Sequence, residues 1–323
     1  MSAIDVTTRA RRAAGRLKRA LAARIAEPEA AAHASVGEDA PPRFYGLTRF
    51  SVYSPDSGSW KLTRDQGGSY AEQLYAAERM GPRADIFLEL AAPILQVMAD
   101  KHDYRHFVHY SSVMPDPWQS RLRETARRYP VLRLVDAEKV SAVRVMMRRD
   151  LIETGAPDRT VVLFRIDDDD ILAASYLDKL SAYAVPGDRG RAVSLCRGAG
   201  AIYLDGRIGP LRDQQRVFGA QGQAYVGSWR AADKTLTMTI GRNHTKVARM
   251  MPTIADAREV AWLQLRHPAQ DMLRDQSDAV AQVQEALAKL AALPPEFDLA
   301  ADFPTVVSRI DPALAPPAPG DNS

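Results

Sequence analysis

Four consecutive aspartates directly follow an apolar run in the segment VVLFRIDDDDIL, residues 161 to 172. Carboxylates packed this closely repel one another and raise each other's pKa unless a positive charge lies among them. A divalent cation is the natural counter-charge, because Mg²⁺ and Mn²⁺ bind hard oxygen ligands. The aspartates therefore indicate a metal site, where the ion would neutralise a phosphate or diphosphate group.

The run follows a predicted strand over residues 160 to 166, and strands and helices alternate before it. Further strands are predicted at 49–54, 107–112 and 131–137, and helices at 83–101 with a kink at Pro93, at 116–129 with Asp116 as N-cap, at 141–155 up to Gly155, and at 171–183 with Asp170 as cap. This alternation predicts an α/β fold with a mostly parallel central sheet and helices on both faces. Ligands of such sheets bind beyond the carboxyl ends of the strands, where the aspartates lie.

Three classes of enzyme use aspartates in comparable segments. The D-x-D-x-[TV] pattern of haloacid dehalogenase-type phosphatases does not fit Ile171 and Leu172, and the D-D-x-x-D pattern of prenyl-diphosphate synthases lies on a helix. Nucleotide-sugar transferases place D-x-D or D-x-D-D at the end of a strand, against a metal and a diphosphate. This third class explains most residues. Another Mg²⁺-dependent phosphoryl-transfer enzyme stays open, as does a non-catalytic α/β module with a structural cation.

Three ordered segments resemble a family of rhamnosyl transferases that are relatives of the inverting glycosyltransferases with the GT-A fold. RIDDDD, residues 165 to 170, is similar to the family's R-[IL]-D-x-D-D signature, and TRFSV, residues 48 to 52, to its first strand. Residues 83 to 115 resemble its R-x₃-F-x₅-P-x₂-Q segment and the following strand. The matching positions are Arg83, Phe87, Pro93, Gln96 and Pro115. The resemblance covers residues 48 to about 182 and implies an inverting, metal-dependent glycosyltransferase, with rhamnose suggested by the family name alone.

The resemblance also implies roles for the aspartates. Asp167 and Asp169 form the D-x-D pair, Asp170 is the following aspartate, and Asp168 points differently from its neighbours if the segment is extended. Asp169 is expected to contact the metal most directly, and Asp167 to engage the ribose or a metal-bound water. The expected metal ligands are Asp167, Asp169, Asp170 and His244, for Mn²⁺ or Mg²⁺. The expected donor-binding residues are Arg49, Arg83, Arg165, Asp167 and Lys246.

The second half of the chain holds two further candidates. Glycosyltransferases of the GT-A type often draw a metal ligand from a late histidine, which implies His244, with Lys246 near the donor phosphates; a surface or capping histidine is the alternative. An inverting reaction needs a general base. Asp205, Asp213 and Asp233 lie in this half. Asp213 is the candidate base, with an ordinary surface position as the alternative.

The two ends of the chain differ from its centre in composition. Residues 1 to 42 are predicted to be a basic arm and linker, residues 43 to 305 a GT-A domain, and residues 306 to 323 a disordered proline-rich tail. Residues 1 to 26 hold seven basic residues against one acidic. This arm suits a helix on an anionic membrane, a solvated segment or a transit peptide. It has no aromatic residue for stacking on bases, so no nucleic-acid partner is expected.

Composition limits the class of protein. The chain has 323 residues, of which 46% are hydrophobic and 26% charged, which is typical of globular proteins. The single cysteine, Cys196, excludes an intramolecular disulfide and suits a reducing compartment. No stretch approaches the roughly 20 apolar residues that cross a bilayer. We therefore expect a cytoplasmic enzyme, in peripheral contact with the inner face of the membrane through its arm, that uses a nucleotide-diphosphate sugar donor and a glycan or glycolipid acceptor.

Overall fold

The computed structural model describes residues 40–54, 70–138, 142–241, 244–269 and 278–316. The basic arm expected at residues 1 to 26 and the last residues of the expected tail lie outside this part of the chain. The strands are β1 (Ala40–Arg49), β2 (Tyr104–Tyr110), β3 (Leu132–Asp136), β4 (Arg159–Arg165), β5 (Asp170–Leu172), β6 (Ala192–Leu195), β7 (Arg197–Leu204), β8 (Arg207–Ile208), β9 (Arg212–Gln215), β10 (Gln223–Arg230), β11 (Thr235–Thr237), β12 (Thr253–Asp256) and β13 (Trp262–Arg266).

Helices connect many of these strands. They are α1 (Tyr70–Tyr75), α2 (Ala77–Ala84), α3 (Ala92–Lys101), α4 (Trp118–Arg128), α5 (Val143–Glu153), α6 (Tyr176–Ser181), α7 (Ala279–Ala288) and α8 (Leu299–Asp302). A π-helical segment, Asp85–Ala91, joins α2 to α3. Pro93 lies in the first turn of α3, so its missing N–H falls where the helical hydrogen-bond pattern changes.

The central sheet has the strand order β12-β6-β10-β4-β1-β2-β3, with β11 paired to β10. β1 lies parallel to β2 and β4, and β2 parallel to β3, while β10 is antiparallel to both β4 and β6. The mostly parallel central sheet predicted from the alternation is therefore confirmed. In register, Leu47 of β1 lies opposite Arg165 of β4, so the ends of these two strands meet at one edge of the sheet.

Alternate residues of the central strands pack into two cores, one on each face of the sheet. One core contains Phe44, Val162 and Phe164 together with Met80 of α2 and Ile94 of α3. The other contains Tyr45, Val161 and Leu163 together with Met147 and Leu151 of α5. Helices thus cover both faces, which leaves the edge at the strand ends as the place for a ligand.

A second sheet has the strand order β5-β13-β7-β8, with β9 paired to β7. β13 lies parallel to β7 and antiparallel to β5, with Gln264 opposite Asp170. The four aspartates therefore connect the two sheets, because they follow β4 of the central sheet and end in β5 of the second. This arrangement brings the end of β13 towards the aspartates.

Among the boundaries that differ from those expected, three depend on contacts between distant segments. The first strand occupies Ala40–Arg49, so it begins within the expected linker and ends where the expected strand starts. Residues 170–172 form β5 and not the start of a helix, so Asp170 does not cap one; α6 begins at Tyr176. Val306 is buried and Ile310 bridges Ile208, so ordered packing continues past residue 305. β1, β5 and the segment after residue 305 contact residues that are distant in sequence, and the spacing of apolar residues within a segment does not reveal such contacts.

Candidate functional site

The aspartates form a tight turn between the two sheets. The N–H of Ile166 donates to the carbonyl of Leu47 at 3.1 Å, which continues the pairing of β4 with β1. The N–H of Asp170 donates to the carbonyl of Asp167 at 3.3 Å and closes the turn. The run is therefore bent and not extended, and successive carboxylates do not simply alternate between two faces.

Asp168 is buried, with 3% of its surface exposed. Its Oδ2 accepts hydrogen bonds from the backbone N–H of Ser51 at 2.9 Å and from the Ser51 hydroxyl at 3.1 Å. Its Oδ1 accepts from Nη1 of Arg83. Nη2 of Arg83 lies 3.1 Å from Oδ2 of Asp169. Arg83, expected to bind the donor, is thus brought to the aspartates but is buried between two of them.

Asp169 faces a histidine that the motifs did not reveal. Nε2 of His267 lies 3.7 Å from Oδ2 of Asp169. His267 is fully buried, and neither of its ring nitrogens has a hydrogen-bond partner in the described part of the chain. It directly follows β13, and Asp167 lies two residues after the end of β4. Its place after an apolar strand is the one sequence signal that could have found it.

Burial raises the pKa of two of the aspartates. The pKa of Asp170 lies well above its ordinary value because of burial first and the charges of Asp169 and Asp167 second. Its Oδ1 is buried without a hydrogen-bond partner among the described residues. Asp167 is only partly buried, with 40% of its side chain exposed, and this partial burial raises its pKa against the effect of Arg165, whose Nη2 lies 3.5 Å from Oδ1 of Asp167. A positive charge added beside either carboxylate would oppose its shift.

Cationic side chains surround the Asp167 side of the turn. Burial lowers the pKa of Arg49, and the neighbouring charge of Arg165 lowers it further, while Asp167 opposes both effects. His244 lies near the same charges. Burial lowers its pKa most, Arg165 lowers it further, Asp167 raises it and Arg216 lowers it. Two arginines that repel each other form a site suited to an anionic ligand such as a diphosphate.

Asp213 lies away from the aspartates, and Lys246 is exposed. Asp213 forms a bidentate pair with Arg197, in which Nη2 lies 2.8 Å from Oδ2 and Nε lies 3.1 Å from Oδ1. The next residue, Gln214, contacts Gln264 and Arg266 of β13, so Asp213 faces the opposite side of β9. The structure therefore does not bring Asp213 to the aspartates, and Arg197 contacts both of its carboxylate oxygens. Lys246 is exposed on the 3₁₀ helix His244–Arg249.

The residues present fit a metal ion that also binds substrate oxygens. No group of three His, Cys, Asp or Glu side chains within the described ranges is arranged as a complete metal site. Asp169 and His267 nevertheless converge as a carboxylate and an imidazole, and Asp170 adds a buried unpartnered oxygen nearby in the turn. Mg²⁺ and Mn²⁺ characteristically combine few protein ligands with phosphate oxygens.

Within the described residues, no helix has the length and apolar character needed to cross a membrane.

Comparison with curated proteins finds no match. A solved structure similar to this chain is the inositol-1-phosphate CTP transferase from T. maritima, at 12% identity and a TM-score of 0.30, with 77% of this chain and 99% of that chain covered. This likeness is too distant to support a functional argument.

A family model described as "Putative rhamnosyl transferase" matches residues 43–279. The matched range includes β4, the aspartates and β13, and so contains the whole site described above. Because the match covers well over half of the chain, the protein belongs to this rhamnosyl transferase family and is a glycosyltransferase.

Proposed function

We propose that this glycosyltransferase has a GT-A-type domain and moves a sugar, rhamnose on the family's description, from a nucleotide-diphosphate donor to a glycan acceptor with inversion. Mn²⁺ or Mg²⁺ would bind at the aspartates. One observation carries the proposal: Asp169 faces the buried, unpartnered imidazole of His267, with Arg49 and Arg165 beside the same turn.

The metal would be held by Asp169 and His267. The aspartate supplies an anionic oxygen, and the imidazole supplies a neutral nitrogen that has no other partner among the described residues. A bound ion would stabilise the negative charge that develops on the leaving diphosphate. His244, expected as the metal-binding histidine, lies on the Asp167 side, so His267 is the better-placed imidazole.

The arginines would hold the donor. Arg49 and Arg165 can share one anion between two guanidinium groups, which would relieve their mutual repulsion. Asp167 is half exposed beside Arg165 and can accept hydrogen bonds from ribose hydroxyls of the donor. Donor binding would therefore neutralise the arginines, and metal binding would neutralise the carboxylates.

Calorimetry with a panel of nucleoside diphosphates and nucleotide sugars tests the proposal, with and without Mn²⁺. The wild type is compared with Asp169→Ala and with the control Glu285→Ala, which removes an exposed carboxylate that pairs with Lys289. We expect Mn²⁺-dependent binding of one donor by the wild type and the control, and its loss in Asp169→Ala. Equal binding by Asp169→Ala, or binding of no donor by folded wild type with Mn²⁺, would contradict the proposal.

A further inference from the structure

Asp168 occupies the middle position of the D-x-D motif, and its surroundings are those of an anchor. It is buried and accepts three hydrogen bonds, two from Ser51 and one from Arg83. Ser51 has a positive φ of 43°, which is uncommon for a residue other than glycine. Its backbone N–H is one of the donors, so the strained residue directs its N–H at the carboxylate.

Arg83 connects this anchor to the next aspartate. One terminal nitrogen donates to Asp168, and the other lies 3.1 Å from Oδ2 of Asp169. A guanidinium is planar and rigid, so its two terminal nitrogens set the separation and orientation of the carboxylates that they contact. Arg79 adds support from the same helix, because its Nη1 donates to the Ser51 hydroxyl at 3.1 Å.

The oxygen that Arg83 holds is the one that faces the histidine. Oδ2 of Asp169 lies 3.1 Å from Arg83 and 3.7 Å from Nε2 of His267. We propose that Asp168 and Arg83 are a positioning pair, which holds Oδ2 of Asp169 against His267 so that both can bind the metal. The inference rests on the proposed metal-binding role of Asp169, and assigns Arg83 to that task in place of direct donor binding.

The substitution Asp168→Asn tests the pair with little change of shape. Oδ1 accepts from Arg83 and Oδ2 accepts from Ser51, so either orientation of an asparagine amide places its NH₂ group against a donor. The matched control is Asp103→Asn. Asp103 also bridges two buried arginines, Arg43 at 2.9 Å and Arg159 at 2.5 Å, but it precedes β2 at the opposite edge of the sheet.

Affinity for Mn²⁺ alone is measured by calorimetry on full-length protein, together with thermal unfolding. We expect Asp168→Asn to bind Mn²⁺ about 10- to 100-fold more weakly than wild type, as is usual when a residue that orients a metal ligand is lost. Asp103→Asn should unfold at a lower temperature but keep wild-type affinity. If Asp168→Asn loses stability and keeps its affinity, the residue is merely structural and the inference is overturned.

Arg83→Lys separates geometry from charge, because lysine keeps the charge but has a single nitrogen in place of the guanidinium fork. We expect it to bind Mn²⁺ as weakly as Arg83→Met. Wild-type affinity in Arg83→Lys would overturn positioning by the fork. Crystal structures of wild type and Asp168→Asn supply a readout that needs no metal: displacement of Asp169 supports the inference, and an unmoved carboxylate refutes it. Failure of wild type to bind Mn²⁺ would refute the proposed metal site, while these structures would still decide the positioning role.

Discussion

Replacing His267 with leucine separates the destabilising effect of a buried, unpartnered imidazole from its proposed role as a metal ligand. The imidazole is fully buried, and neither nitrogen has a partner in the described structure. An unsatisfied buried polar group costs about 1–3 kcal/mol, and an apolar group of similar size removes that cost. We therefore expect the free energy of unfolding of metal-free His267→Leu to equal or exceed that of wild type by up to about 2 kcal/mol.

With Mn²⁺ added, we expect wild type to be more stable to unfolding than His267→Leu. At a concentration of about 100 times its Kd, a ligand stabilises the folded state by about 2.7 kcal/mol; a 100-fold weaker site would gain only about 0.4 kcal/mol. Urea unfolding with and without Mn²⁺ measures both the stability of the metal-free proteins and their stabilisation by Mn²⁺. His102→Gln is the control, since His102 pairs with exposed Asp178. Equal stabilisation of wild type and His267→Leu by Mn²⁺ would refute the assignment of His267 as a ligand.

Three further outcomes are expected. Burial lowers the pKa of His106 to about 3, so below pH 6.5 the unfolded state binds a proton that the folded state excludes; stability should fall by about 2 kcal/mol between pH 7 and pH 5, and urea unfolding should show a shallower fall in His106→Gln. Arg49→Met should weaken nucleoside diphosphate binding by about 1.5–3 kcal/mol in calorimetry, and an unchanged Kd would remove it from the donor site. Asp213→Asn, with Arg197 still present, should keep most of the turnover in a transfer assay; a loss of several hundredfold would restore Asp213 as the base.

The elements with local signals were predictable from the sequence. The strand expected at residues 160 to 166 is β4, the strand expected at 131 to 137 contains β3, and the helix expected at 141 to 155 contains α5. β4 is a continuous apolar run that is buried on both faces, whereas apolar residues recur with the period of the element in β3 and α5, and Gly155 follows the helix with φ of +57°. The carboxyl ends of parallel strands lie on the same side of a sheet. The aspartates were therefore placed correctly at the carboxyl end of β4.

The partners of the aspartates were less predictable, because they depend on pairing between distant segments. His267 reaches Asp169 because β13 pairs with β5, which begins at the last aspartate of the run. Three residues of β5 carry too short a pattern to be recognised, and this stretch resembled the start of a helix. Arg83 was found by its motif, but its burial between two carboxylates follows from the packing of α2 against the turn.

The different surroundings of the four carboxylates explain how four like charges can follow a buried strand. Asp168 pairs with Arg83 and accepts hydrogen bonds from Ser51, and Asp167 lies beside Arg165 at the half-exposed side. Asp169 shares Arg83, whereas Asp170 has a buried unpartnered oxygen and a strongly raised pKa. Asp169 is the carboxylate that faces His267, whereas Asp170 is the one whose charged form burial and its neighbours disfavour, with Arg216 and Arg266 as nearby positive charges. In the proposed function, a cation bound beside Asp169 would offset the repulsion between Asp169 and Asp170 and so lower the cost of ionising Asp170.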